Sequence, residues 1–163
     1  MIRLVKLSDA DSIVEIYNYY IENTIITFEE VLISSDEMKS RISEISDSGL
    51  PWLVYMEDNV VLGYAYASKW KGRCAYKFSV EITIYISPLV KSKGIGSKLY
   101  EKLLIDLKES DIHVVIGGIS LPNPASIALH EKFGMEKIAH FKQVGFKFDE
   151  WIDVGYWQLI LDA

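Results

Sequence analysis

A chain of 163 residues that is 50% hydrophobic, with ten Tyr, six Phe and four Trp, has the size and composition of one globular domain spanning 1–163, and excludes a disordered or low-complexity segment. The formal net charge of −6, with no basic stripe, excludes a protein that holds nucleic acid by phosphate electrostatics. The single cysteine, Cys74, excludes an intramolecular disulfide and a cysteine-based zinc site. It reads as a small buried hydrophobe in a cytoplasmic protein, and no metal is expected. The N-terminus lacks a signal-peptide core and no apolar run reaches the ~20 residues of a bilayer span, so no membrane association is expected.

Residues 2–6 read as a short strand. Ser8 can then cap a helix whose apolar positions Ile13, Ile16, Tyr17, Tyr20 and Ile21 recur at helical spacing. After a break at 23–31, Ser35 begins a second helix with Met38, Ile42 and Ile45 inward, and Gly49-Leu50-Pro51 stops it. Residues 51–70 alternate inside and outside on either side of Glu57-Asp58-Asn59, the pattern of an antiparallel hairpin. A strand over 77–87 follows, then a helix over 94–107, a buried strand over 112–120, a helix over 124–134 ended by Gly134, and two long strands. The order βααβββαβαββ predicts an α+β domain around a mixed, twisted sheet of about seven strands with about four helices.

The turn between the fourth strand and third helix concentrates chemistry. A helix starting near Gly94 presents unpaired N–H groups and a partial positive charge, which suits a phosphate. Gly94 and Gly96 leave the main chain open to close approach, and Lys91, Lys93 and Lys98 add charge; an ordinary glycine helix start with solvated lysines is equally compatible with this spacing. The segment is neither an NTPase phosphate loop, which needs four residues between its glycines, nor a Rossmann fingerprint, which needs a third glycine where Leu99 stands.

Lys91-Ser92-Lys93-Gly94-Ile95-Gly96 resembles the Q/R-x-x-G-x-G/A pyrophosphate loop of the Gcn5-related N-acetyltransferases, with Lys91 departing from the usual Gln or Arg. The resemblance implies the GNAT fold, acetyl-CoA as co-substrate, and pyrophosphate contacts running on to Ser97. It also implies a splayed strand offering backbone groups of Ile84, Tyr85 and Ile86 to pantetheine. Asn123 to Met135 resembles the family's N-x-x-A/S…L-Y-x-K-x-G-F segment. That implies Asn123 on the pantetheine arm, Lys132 at a CoA phosphate, and His130 where many relatives carry a tyrosine that protonates the leaving thiolate. Read from the residues alone, Asn123 is also a good helix cap and His130 an ordinary helical residue.

Three further stretches, 70–76, 80–88 and 146–159, resemble the phosphinothricin and methionine sulfone acetyltransferases of that family, which are acyltransferases that detoxify amino-acid analogues. This implies Lys71, Arg73, Tyr76 and Tyr85 in the acceptor pocket, Glu81 as the general base, Phe28 reaching a neighbouring subunit's pocket, and a homodimer. The chemistry agrees. Arg and Lys suit a small acceptor with carboxylate and phosphinate or sulfone oxygens, and at i, i+2 on an extended segment Lys71 and Arg73 share a side. Glu81 interrupts a mostly apolar strand; it can take the proton of an attacking amine or serve as a structural ion-pair partner. The aromatic-rich tail FKFDEWIDVGYWQLIL is more apolar than a lone edge strand and points to a covered surface. The reaction expected is direct transfer of acetyl to an α-amine in a ternary complex. An acetyltransferase of protein N-termini, lysines or polyamines and a non-catalytic CoA-binding module are the alternatives.

Overall fold

The computed structural model describes residues 1–91 and 93–162. Its elements are β1 (Ile2–Leu4), α1 (Ala10–Asn23), α2 (Ser35–Asp47), β2 (Trp52–Glu57), β3 (Val60–Lys69), β4 (Ser79–Ile86), α3 (Ile95–Lys108), β5 (Val114–Ser120), α4 (Pro124–Lys132), β6 (Glu136–Lys147) and β7 (Glu150–Ile160). The order matches the one expected from periodicity. The strands form one mixed sheet, β1-β2-β3-β4-β5-β7-β6, in which only the β4–β5 pair is parallel.

The β2–β3 turn forms where expected because Asp58 and Asn59 both accept the left-handed backbone (φ 50° and 63°) that a two-residue hairpin requires. Ser8 is not the cap of α1. A 3-10 turn over Leu7–Asp9 comes first, and the Asp9 carboxylate holds it by accepting from the Lys6 N–H at 2.7 Å and from two guanidinium nitrogens of Arg3 at 2.8 Å. Sequence favoured the hydroxyl as a generic cap; the carboxylate prevails because Arg3, on the neighbouring strand, sits within reach of it. For α2 the cap is Ser34, whose side chain accepts from the Glu37 N–H at 3.1 Å.

Alternation along each strand buries two faces. On one, Val80, Ile82 and Ala67 pack against Leu99, Leu103 and Leu107 of α3. On the other, Trp52, Tyr64 and Tyr85 pack against Ile13, Tyr17 and Ile21 of α1 and Met38 and Ile42 of α2. Among the described residues no helix is long and apolar enough to cross a membrane. Leu103 is fully buried between α3 and the sheet. Leu103→Ala is therefore expected to lower the unfolding free energy by about 3 kcal/mol, measured by urea denaturation; a loss under ~1 kcal/mol would show that α3 does not close this side of the core.

Candidate functional site

The site begins with a gap in the sheet. β4 and β5 pair through Ser79–Val114, Val80–Val115 and Glu81–Ile116, and the ladder stops there. Beyond Glu81, β4 stays attached to β3 as far as Ile86, while β5 stays attached to β7 as far as Ser120. The two strands therefore part like a fork with Glu81 at its base.

A cleft of ≈ 260 Å³ occupies the fork and opens toward both faces of the sheet. On the α1/α2 face its walls are Ile26, Thr27 and Phe28 from the loop after α1, with Val154 and Tyr156 of β7. On the α3/α4 face they are Tyr100, Asn123, Ser126 and His130. Glu81, Thr83 and Tyr85 face the first side, and Ile82 and Ile84 the second. Burial raises the Glu81 carboxyl above the ordinary carboxylate value, and the charge of Lys71 pulls it partly back.

His130 is 3% exposed, in a space that exists because Gly117 has no side chain: a Cβ there would stand 2.6 Å from the imidazole. Its Nδ1 lies 2.7 Å from the Ser126 carbonyl, which can only accept, so Nδ1 carries the hydrogen. Nε2 then accepts from the Tyr100 hydroxyl at 3.2 Å. Burial lowers the His130 pKa, the Ser126 bond opposing it, and the ring is held neutral. The Tyr100 hydroxyl thus gives its hydrogen to the imidazole and presents only its oxygen to the cleft.

A second groove lies over the glycine turn, lined by Ile86, Lys93, Gly94, Ile95, Gly96, Ser97, Ala125, Leu129 and Lys132. Gly94 takes φ +67° as it enters α3, a conformation a side chain would strain. Gly96 has a further reason: a Cβ would come 3.3 Å from Leu129, so its absence lets α4 close against α3. Lys132 donates to Ser97 Oγ at 2.9 Å across the turn, and Lys93 is exposed at 3.3 Å from Glu57. Lys91 is exposed beside the turn, and Ser92 lies outside the described residues. These groups fit a pyrophosphate: open main-chain N–H groups of a helix start flanked by ammonium groups. Asn123 combines both its expected characters, since Oδ1 accepts from the Ser126 N–H at 3.2 Å as the α4 cap while the residue lines the cleft.

Three expectations change. Lys71 and Arg73 do not share a side of an extended segment: β3 ends at Lys69 and the chain turns into a 3-10 helix over Cys74–Tyr76. There Arg73 and Tyr76 are exposed and line no wall of the cleft, although Lys71 is close enough to act on Glu81 and the preceding Trp70 meets Tyr156 edge-on at 5.5 Å. Cys74 is exposed on that turn and not a buried hydrophobe, because the turn has no layer over it. Phe28 lines its own chain's cleft, its ring filling the space over Gly145, where a Cβ would lie 2.4 Å from Cζ.

Sequence reasoning missed Tyr100, Tyr156, Thr27 and Ser126 as cleft residues. Tyr156 was accessible to it, since it shares a strand face with Val154. Tyr100 reads simply as a core position of α3.

The buried neutral imidazole carries a pH signature. A His pKa held below the unfolded value of 6.5 contributes stability that is complete above pH 6.5 and is lost as the pH falls through the lowered folded value. The stability advantage of the wild type over His130→Gln is expected to shrink as pH falls below 6.5, and ring nitrogen shifts should show a neutral His130 at pH 6.5. An imidazolium at neutral pH would overturn the Tyr100-to-His130 direction of the bond.

Comparison with known proteins agrees with this architecture. Residues 2–155 match the family model described as an acetyltransferase (GNAT) domain. The L-methionine sulfoximine/L-methionine sulfone acetyltransferase of Salmonella typhimurium is 34% identical over 99% of this chain and 94% of its own length. Among solved structures, a GNAT superfamily phosphinothricin acetyltransferase from Sinorhizobium meliloti, in complex with AcCoA, superposes with a TM-score of 0.96 at 38% identity, covering 99% of this chain and 88% of its own. A ribosomal-protein-alanine N-acetyltransferase from Brucella melitensis superposes with a TM-score of 0.97 at 33% identity over 99% of both chains.

Proposed function

The chain belongs to the acetyltransferase (GNAT) domain family and is an acyltransferase, and from that membership we propose that it transfers acetyl from acetyl-CoA to the α-amine of a small amino-acid analogue. Phosphinothricin, methionine sulfone and methionine sulfoximine are the acceptor types. The observation that carries the reading is the position of Glu81: a carboxylate of raised pKa at the base of the fork, lining the cleft under Phe28 and Tyr156. The cleft volume of ≈ 260 Å³ supports a small molecule over a peptide.

Acetyl-CoA supplies an activated thioester. The chain's own groups do the rest. The Gly94–Ser97 helix start with Lys93 and Lys132 would bind the pyrophosphate, and the inner edge of Ile84–Ile86, which has no strand partner on that side, offers backbone groups to the pantetheine arm and the thioester carbonyl. Glu81 takes the proton that the attacking α-amine must lose, a task for which a raised pKa is better than the ordinary ~4.3. Because His130 is neutral with Nδ1–H committed to Ser126, it does not deliver a proton. The Tyr100 hydroxyl gives its one hydrogen to His130 Nε2, so neither group protonates the departing sulfur, and with a thiol pKa of ~8.5 it leaves as the thiolate. Lys71, whose charge acts on Glu81, follows Trp70 at its contact with Tyr156, and the family resemblance assigns it, with Arg73 and Tyr76 on the exposed turn beyond, to the anionic end of the acceptor.

The resemblance to a ribosomal-protein-alanine acetyltransferase keeps a protein N-terminus as the second reading. A thiol-release assay with acetyl-CoA separates the two. Turnover of phosphinothricin, methionine sulfone or methionine sulfoximine is expected, with Glu81→Gln lowering kcat by about 10²–10⁴ and Arg73→Ala lowering kcat/KM for these anionic acceptors by about 10–100-fold. The acidic limb of the wild-type profile should lie above the ordinary carboxylate range, because the base is active only once deprotonated and its pKa is raised. Activity confined to an Ala- or Ser-starting peptide would replace the small-acceptor reading.

We also propose a homodimer. Phe141, Val144, Phe146, Phe148 and Trp151 are all more than half exposed on the β6–β7 hairpin, a concentration of apolar surface that a second copy would cover. Light scattering at micromolar concentration is expected to give twice the 18.6 kDa chain mass; a monomer would overturn it.

A further inference from the structure

The acceptor side of the cleft is walled by a segment without regular structure, residues 24–34, and such a wall keeps its shape only if other parts of the protein hold it. The hold comes from 120 residues away. Lys147, the last residue of β6, is 2% exposed, and its ammonium donates to the carbonyls of Thr24 at 2.7 Å and Thr27 at 2.8 Å. Neither contact is to a carboxylate; Glu29 and Glu30 act on it only through space. Burying an ammonium is costly, and an apolar side chain of equal length would fill the same space without that cost. What a Met could not do is offer two converging donors to two carbonyls of one bend.

Two other contacts act on the same bend. Phe28 rests in the space that Gly145 leaves open two residues upstream of Lys147. The Tyr17 hydroxyl meets Thr27 Oγ1 at 2.8 Å and also bonds Glu29, which is gripped by Arg41 through two bonds of 2.7 and 2.8 Å. Lys147 thus adds the β6–β7 hairpin to α1 and α2 in setting the place of Ile26, Thr27 and Phe28.

We propose that Lys147 is a positioning residue for the acceptor: by clamping the Thr24 and Thr27 carbonyls it fixes the wall against which the acceptor binds, without touching acceptor or acetyl-CoA. The proposal rests on the acetyl-transfer reading above, and assigns acceptor selection in part to the C-terminal hairpin.

The test compares wild type, Lys147→Met and Lys147→Arg by steady-state kinetics on whichever acceptor the wild type turns over, together with amide hydrogen exchange. Lys147→Met is expected to raise the acceptor KM about tenfold or more while leaving the acetyl-CoA KM within about twofold. Exchange should speed up at residues 25–29 and stay unchanged in β3 and β4. Should Lys147→Met not fold, Lys147→Arg, which keeps the donors but moves them, is expected to raise the acceptor KM alone. An unchanged acceptor KM, or equal losses in both KM values with faster exchange throughout the sheet, would overturn the role. A wild type that acetylates only peptides would overturn the small-acceptor reading instead, with the Lys147 comparison then made on the peptide.

Discussion

Everything at the site depends on one interruption of hydrogen bonding, the end of the β4–β5 ladder at Glu81 and Ile116. A parallel pair in the middle of a sheet is normally continuous and covered on both faces. Here each strand leaves its partner while remaining bonded to its other neighbour, so the sheet opens without unravelling. The opening is the only way a sheet can join the chemistry of its two faces. The carboxylate at its base belongs to the α1/α2 face, while Tyr100, Ser126 and His130 line the same cleft from the α3/α4 face.

Opening a sheet exposes backbone and side chains that must be stabilised locally. On the α3/α4 side, α4 closes over β5 because Gly117 admits the His130 ring, and Gly96 admits Leu129. The buried polar groups there are satisfied in sequence: the hydroxyl of Tyr100 donates to His130, and His130 donates to the Ser126 carbonyl. Such a chain leaves no orphaned donor and fixes the Tyr100 hydroxyl against the imidazole. On the α1/α2 side, where the wall is loop, the ammonium of Lys147 and the phenol of Tyr17 substitute for secondary structure. Two different devices, one made from a helix and one from a hairpin, hold the two sides of one cleft.

The electrostatics follow from the same geometry. Glu81, Tyr100 and His130 are each pushed toward the neutral form by burial, and the proximity of Lys71 only moderates the effect at Glu81. A carboxylate more basic than usual, beside an imidazole less basic and a phenol less acidic, suits the proposed role of Glu81 as proton acceptor. Lys93 and Lys132 by the glycine turn, and Lys71 and Arg73 after β3, are exposed, where solvent lowers the cost of their charge.

The sequence by itself determined the element order, the βα turn at Gly94, and Glu81 as the polar residue within an apolar strand, because periodicity, glycine and an isolated carboxylate are local signals. It also carried the family resemblance that residues 2–155 bear out. Only the tertiary structure decided the rest, which depends on what distant segments bring together. The Arg3 guanidinium displaced Ser8 as the device at the start of α1. The end of β3 at Lys69 put Arg73 and Cys74 on an exposed turn, although alternation extended the strand. Tyr100 looks like a core residue until His130 arrives from 30 positions later to orient its hydroxyl. Lys147 looks like a surface lysine until a loop 120 residues earlier folds over it. Hydrogen-bond partners across such separations leave no periodic trace in the chain, since each is fixed by the way strands and helices pack and not by its own neighbours.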